Sequence, residues 1–184
     1  DSYINGGEIY FSYRRSDVNG ILGLSNTPLT FRLSYYFDSF FGQEGYIPIQ
    51  TKTENLDTYA VRVQELIEEI KLETGKDKTI LMAHSMGGLV ARRYIQIFGN
   101  DSVDRLVLIG TPNKGITGKI KRYCSYFGTS LECRDMDENS LFINKLNNRY
   151  SDKIKTYNII GRGCEMDGED GDGIVLVEKA LISA

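Results

Sequence analysis

Six residues, Ala83-His84-Ser85-Met86-Gly87-Gly88, constrain this chain most. Thr79-Ile80-Leu81-Met82-Ala83 before them is short and almost wholly apolar, the pattern of a parallel strand covered on both faces. After them, Gly88 to Phe98 repeats apolar residues at helical spacing, with Val90, Tyr94, Ile97 and Phe98 on the inward side. A chain that passes from strand to helix within so few residues turns sharply at Ser85. Such a turn crowds its flanks, so the positions two before and two after must be small. Here they are Ala83 and Gly87, and Ala83 costs only one methyl relative to glycine. The turn lifts the Ser85 hydroxyl out of the sheet at a helix N-terminus. There the backbone N–H of Met86 faces any negative charge that develops on a bound carbonyl.

The same alternation extends along the chain and predicts an α/β fold, a mostly parallel sheet with flanking helices. Glu8–Tyr13, Arg105–Ile109 and Ile154–Ile160 read as further strands. Asn55–Thr74 reads as a helix with Leu56, Tyr59, Val63, Leu66, Ile67 and Ile70 on one face and Gly75 as its C-cap. Ile174–Ser183 reads as a final helix. The whole of 1–184 is expected to be one domain, with excursions from the sheet at about 19–48 and 113–150. The first excursion is rich in Phe and Tyr. Its aromatics either cap a site at the carboxyl ends of the strands or fill a core.

Composition excludes several function classes. A net charge of −3 and a pI near 5.3 argue against a nucleic-acid partner, which demands surplus positive charge. No apolar run approaches the roughly 20 residues that span a bilayer. Asp1–Asn5 has neither the basic nor the apolar region of a secretion signal, although a cleaved leader would leave no trace. The chain has three cysteines, no CxxC and one histidine, so no zinc site is expected, nor any other metal or cofactor. Three reduced thiols are the expectation. Cys124 and Cys133 are close enough to pair as the alternative, and the compartment stays open.

Ala83-His84-Ser85-Met86-Gly87-Gly88-Leu89-Val90-Ala91-Arg92 resembles the nucleophile elbow of lipases in the α/β-hydrolase superfamily. It is similar to small bacterial lipases that also carry alanine first, and to acyltransferase relatives that act on phospholipid. Gly110-Thr111-Pro112-Asn113-Lys114-Gly115 resembles the segment after the next strand in those lipases. Met136–Asn147 resembles their intermediate segment, and Asp172-Gly173-Ile174-Val175 their acid-bearing turn. The resemblance covers roughly residues 55–184 in order. It implies hydrolysis of carboxylic esters, of lipid or other acyl substrates, through an acyl-enzyme on Ser85. Membrane-surface contact would go with such a substrate.

In that family the triad runs Ser, then Asp or Glu, then His. Glu165–Asp172 offers five carboxylates in eight residues. Asp172 is the expected acid because it stands directly before Ile174-Val175, and Asp170 is second. A solvated acidic loop is the plain alternative, and a calcium loop fits the spacing poorly. His84, next to Ser85, is expected to pack around the turn as a structural residue with Ala83 and Gly87, not to act as base. No second histidine exists in the sequence. The first and last core strands of the family, with their His-Gly oxyanion loop and triad histidine, are also missing from it, so a fragment of a longer enzyme is expected. A hydrolase-like module without catalysis, or a structural partner with exposed aromatics, are the other readings.

Overall fold

A computed structural model of the protein describes residues 4–5, 8–9, 31, 37–42, 45–50, 54–126, 128–148, 154–166 and 168–182. Two antiparallel pairs come first. β1 (Ile4–Asn5) pairs with β2 (Glu8–Ile9), and β3 (Phe37–Gly42) with β4 (Gly45–Gln50) in a hairpin closed at Gly42 opposite Gly45. The strand expected over Glu8–Tyr13 is therefore corrected. Glu8–Ile9 pairs locally and, among the described residues, does not join the parallel sheet; residues 10–13 lie outside the description. Whether the aromatics of 19–48 cap or fill lies outside it as well.

The centre is a three-stranded parallel sheet in the order β5 (Thr79–His84), β6 (Val103–Ile109), β7 (Lys155–Ile159). Helix α1 (Leu56–Thr74) precedes β5, and α2 (Met86–Phe98) leads from β5 to β6. Both ends of α1 follow from local chemistry. Asn55 accepts the Thr58 N–H at 2.9 Å, and Gly75 closes the helix at φ 64° with its N–H on the Lys71 carbonyl. Leu56, Tyr59, Ala60, Val63 and Ile67 bury against α2 and the sheet, where Leu81, Leu106 and Leu108 form the floor of the core.

Two sequence expectations fail on burial. β5 is covered on one face only: Leu81 is buried, whereas Ile80 and Met82 are exposed, Met82 by 69%. Tyr157 and Ile159 on β7 are exposed too. An apolar run signals burial but not on how many sides. In α2, Ile97 and Phe98 are also exposed. Met86, Gly88 to Arg92, Tyr94 and Ile95 are buried around the whole circumference, so α2 is enclosed for its first turns and emerges at its last.

The segment between β6 and β7 is helical, as an excursion from the sheet. It holds α3 (Gly118–Tyr123), a single 3-10 turn (Cys124–Tyr126), α4 (Ser130–Met136) and α5 (Leu141–Asn148). A capping box starts α4, with Thr129 and Glu132 exchanging bonds to each other's backbone. This folds the chain back and joins Cys124 to Cys133 in a disulfide, so three reduced thiols is wrong for two of them; Cys164 is free and exposed. Buried Glu132 accepts the Tyr59 hydroxyl at 2.8 Å, and Asp135 accepts the Leu56 N–H at 3.0 Å, which ties α4 to the start of α1. After β7 come the short antiparallel strands β8 (Cys164–Met166) and β9 (Glu169–Gly171), then α6 (Val177–Ala180). The expected helix Ile174–Ser183 is thus four residues long. Ile174 and Val175 belong instead to a turn in which both N–H groups bond the Asp172 carboxylate.

Candidate functional site

Ser85 occupies the single step between β5 and α2 at φ 54° and ψ −130°. Among the described residues it alone, apart from glycines, has a positive φ. That conformation costs on the order of 1–3 kcal/mol and persists only where its surroundings impose it. They do so from both sides. The Ser85 N–H extends the ladder to the Ile109 carbonyl at 2.9 Å, and the Ser85 carbonyl takes the Gly88 N–H at 3.0 Å. The helix then leaves at once, which requires Gly88 to lie flat against buried Thr111. As N-cap of α2, Ser85 makes no side-chain capping bond. Met86 follows as the first helical residue, nearly buried, its N–H among the first-turn donors that have no acceptor within a helix.

Asp172 lies over the neighbouring strand ends. A β-carbon on Gly110, just after β6, would stand 3.2 Å from Asp172 Oδ2. One on Gly161, just beyond β7, would stand 2.5 Å from Asp172 Cβ. Both glycines thus make room for the aspartate. Since Ser85 bonds Ile109, the residue before Gly110, the two candidate residues share the carboxyl edge of the sheet with Gly110 between them. Asp172 Oδ1 holds the Ile174 and Val175 N–H groups at 2.9 and 2.7 Å, and the Asp172 N–H bonds the Val175 carbonyl. One carboxylate oxygen is committed to the turn while Oδ2 faces the sheet edge.

Asp170 is placed differently. It is exposed and engages the Gly163 N–H at 2.7 Å and Arg162 Nε at 2.9 Å. The backbone bond first, and the guanidinium second, hold its carboxyl below the usual aspartate range. His84 is exposed at the end of β5, so the expected packing around the turn is not found; half-buried Ala83 and Gly87 flank the serine. Among the described residues no group of three or more His, Cys, Asp or Glu could hold a metal ion. A cavity of about 210 Å³ borders the acid-bearing turn, lined by Ile116, Ile120, Ile174, Val175 and Lys179 among others; Ser85 is not part of its wall.

Sequence reasoning missed one polar assembly. Arg92, only 2% exposed, donates from Nη1 to the Asn113 carbonyl and side-chain oxygens and from Nη2 to Asn147 Oδ1. Asn113 and Arg92 both fall inside segments singled out for their resemblance, and that was the only signal available.

The alpha/beta hydrolase fold family model matches residues 43–154, and the chain belongs to that family. Among solved structures it is similar to a mature lipase from Bacillus licheniformis, at TM-score 0.58 and 16% identity, over 76% of this chain and 68% of that one. A phospholipase from Legionella pneumophila aligns at TM-score 0.49 and 14% identity, over 72% of this chain and 29% of that one. At 16% identity the likeness to the lipase is one of fold. No curated protein sequence matches the chain. No helix among the described residues is long and apolar enough to cross a membrane.

Proposed function

We propose that this chain belongs to a serine hydrolase that cleaves carboxylic esters, of lipid or other acyl substrates, through an acyl-enzyme on Ser85. The observation that carries the reading is the strained backbone of Ser85 at the head of α2, on the same sheet edge as Asp172. Strain of this kind is retained where it serves a mechanism.

In this reading Ser85 Oγ attacks the ester carbonyl while a base takes its proton. The tetrahedral oxyanion is met by the Met86 N–H at the positive end of α2. Collapse expels the alcohol, which recovers the proton, and water then releases the acid by the same steps in reverse order. Asp172 orients the base and stabilises its charged form. Asp170 is the weaker candidate, because both its oxygens are already engaged away from the sheet edge. In the family the base is a histidine, and His84 is the one histidine of these 184 residues. His84 does not serve, because successive strand and turn residues point to opposite sides. An alcohol in place of water would make the same machinery an acyltransferase. The single histidine is also what a non-catalytic hydrolase-like module would have.

A fluorophosphonate probe on the natural full-length protein tests the reading. Labelling that is lost in Ser85→Ala supports it, together with ester turnover at least a hundredfold lower in Asp172→Asn than in Asp170→Asn. An unlabelled native protein overturns it in favour of the non-catalytic module. The larger loss in Asp170→Asn overturns the acid assignment alone.

A further inference from the structure

We infer that Asn113, gripped by Arg92, is a positioning residue that sets the Asp172 turn against the Ser85 turn. The inference rests on the proposed roles of those two residues. Arg92 stands seven residues beyond Ser85 on α2, two turns down the same rigid helix. Its Nη1 donates to Asn113 Oδ1 at 3.0 Å and to the Asn113 carbonyl at 3.2 Å. Asn113 is fully buried, and the other polar group of its side chain, Nδ2, donates to the Ala180 carbonyl at 2.6 Å. Ala180 ends α6, and Leu176 at the start of α6 bridges Gly171, so the loop between them that carries Asp172 is pinned at both ends. Asn158 on β7 donates to the same Ala180 carbonyl at 2.8 Å, and the Lys114 N–H bonds the Lys179 carbonyl.

The path from nucleophile helix to acid turn is therefore continuous: α2, Arg92, Asn113, Ala180, α6, the Gly171–Leu176 bridge, Asp172. Spacing alone would be met more cheaply by aliphatic side chains, since a buried guanidinium must recover its lost hydration in hydrogen bonds. What the polar joint adds is direction. Asn113 has both acceptors toward Arg92 and its donor toward Ala180, so it fixes where α6 sits and with it the orientation of the carboxylate. A small displacement there misplaces the base that Asp172 would hold.

Asn113→Asp separates this role from simple packing. It keeps the oxygens that Arg92 grips and the side-chain volume, but removes the donor to Ala180. Hydrogen exchange on the full-length protein reads the result at Ile174 and Val175, whose N–H groups bond Asp172. Exchange there should rise at least tenfold while α1 stays unchanged. Turnover of a nitrophenyl ester, per fluorophosphonate-reactive Ser85, should fall at least tenfold with KM within twofold. Unchanged exchange at Ile174 and Val175 overturns the inference, whether or not the protein hydrolyses esters. Faster exchange in a protein that never labels would keep the brace and overturn only the hydrolase reading.

Discussion

Gly88 lies so close to Thr111 that a β-carbon at position 88 would fall 2.0 Å from Thr111 Oγ1 and 2.6 Å from its Cγ2. Thr111 is fully buried. The contact joins the first turn of α2 to the loop after β6, directly beneath Ser85. Gly88→Ala should therefore destabilise the protein by about 3 kcal/mol, the upper range for overpacking. It should also reduce fluorophosphonate labelling, because α2 can relieve the clash only by moving its head. Thr111→Val removes a buried hydroxyl that makes no hydrogen bond among the described residues, at nearly constant volume. It should leave stability unchanged or raise it by about 1 kcal/mol. Urea denaturation of the two variants checks both signs.

The strain at Ser85 gives a prediction of opposite sign. At φ 54° alanine keeps the penalty that serine bears, whereas glycine has none. Ser85→Gly should be more stable than Ser85→Ala by about 1 kcal/mol, after allowance for glycine's greater freedom when unfolded. Both variants should be inert to fluorophosphonate. A thermal melt of the pair is sufficient, and equal midpoints would mean that the turn relaxes once the hydroxyl is gone.

Much of this arrangement is legible in the sequence, because its causes are local. Asn55 and Gly75 cap α1 through chemistry that spans four residues or fewer, and the Ser85 turn announces itself through small neighbours between a strand and a helix. The Asp172 turn is legible only through the resemblance, since apolar spacing alone starts a helix at Ile174, whereas the Ile174 and Val175 N–H groups bond Asp172. What escapes is set at long range. Arg92 bonds partners 21 and 55 residues away, and nothing in its spacing distinguishes it from a solvated arginine. The one-sided cover of β5 escapes as well, because Ile80 and Met82 are as apolar as the buried Leu81. Spacing permitted the Cys124–Cys133 pair, but only the capping box at Thr129 brings the two cysteines together.

Glu138 and Lys179 link the excursion to α6 at 2.7 Å, and each moves the other's titration. The hydrogen bond from Lys179, and then that from Thr117, hold the Glu138 carboxyl below the usual glutamate range. The bond to Glu138 pushes Lys179 above the usual lysine value. A depressed carboxylate stabilises the fold above its unfolded pKa, and that share is lost as the pH falls through the lower folded value. A raised lysine contributes below its unfolded pKa, and that share is lost as the pH rises through the folded value. The pair should be worth about 1 kcal/mol at neutral pH, since it is only partly buried. Glu138→Gln should remove that amount near pH 7 and flatten the decline in stability below about pH 5. Urea midpoints across the acid range check this; parallel curves for variant and native protein would contradict it.

The disulfide should matter locally, not globally. It closes a loop of nine-residue separation around the 3-10 turn, for which chain entropy predicts about 2–3 kcal/mol. One end of that loop is anchored independently. Through Glu132 and Asp135, α4 holds Tyr59 and the start of α1, and neither bond involves a cysteine. The other end, α3, has no buried residue of its own. Reduction, or Cys133→Ser, should therefore release α3 and the 3-10 turn while α4 stays on α1 and the parallel sheet stays folded. Limited proteolysis should then cut within residues 118–128, where Lys119, Lys121 and Arg122 offer trypsin its sites, several-fold faster than in the oxidised protein. The melting temperature of the core should shift by no more than a few degrees. A collapse of the whole fold on reduction would show instead that the bond, and not the Tyr59–Glu132 contact, holds the excursion to α1.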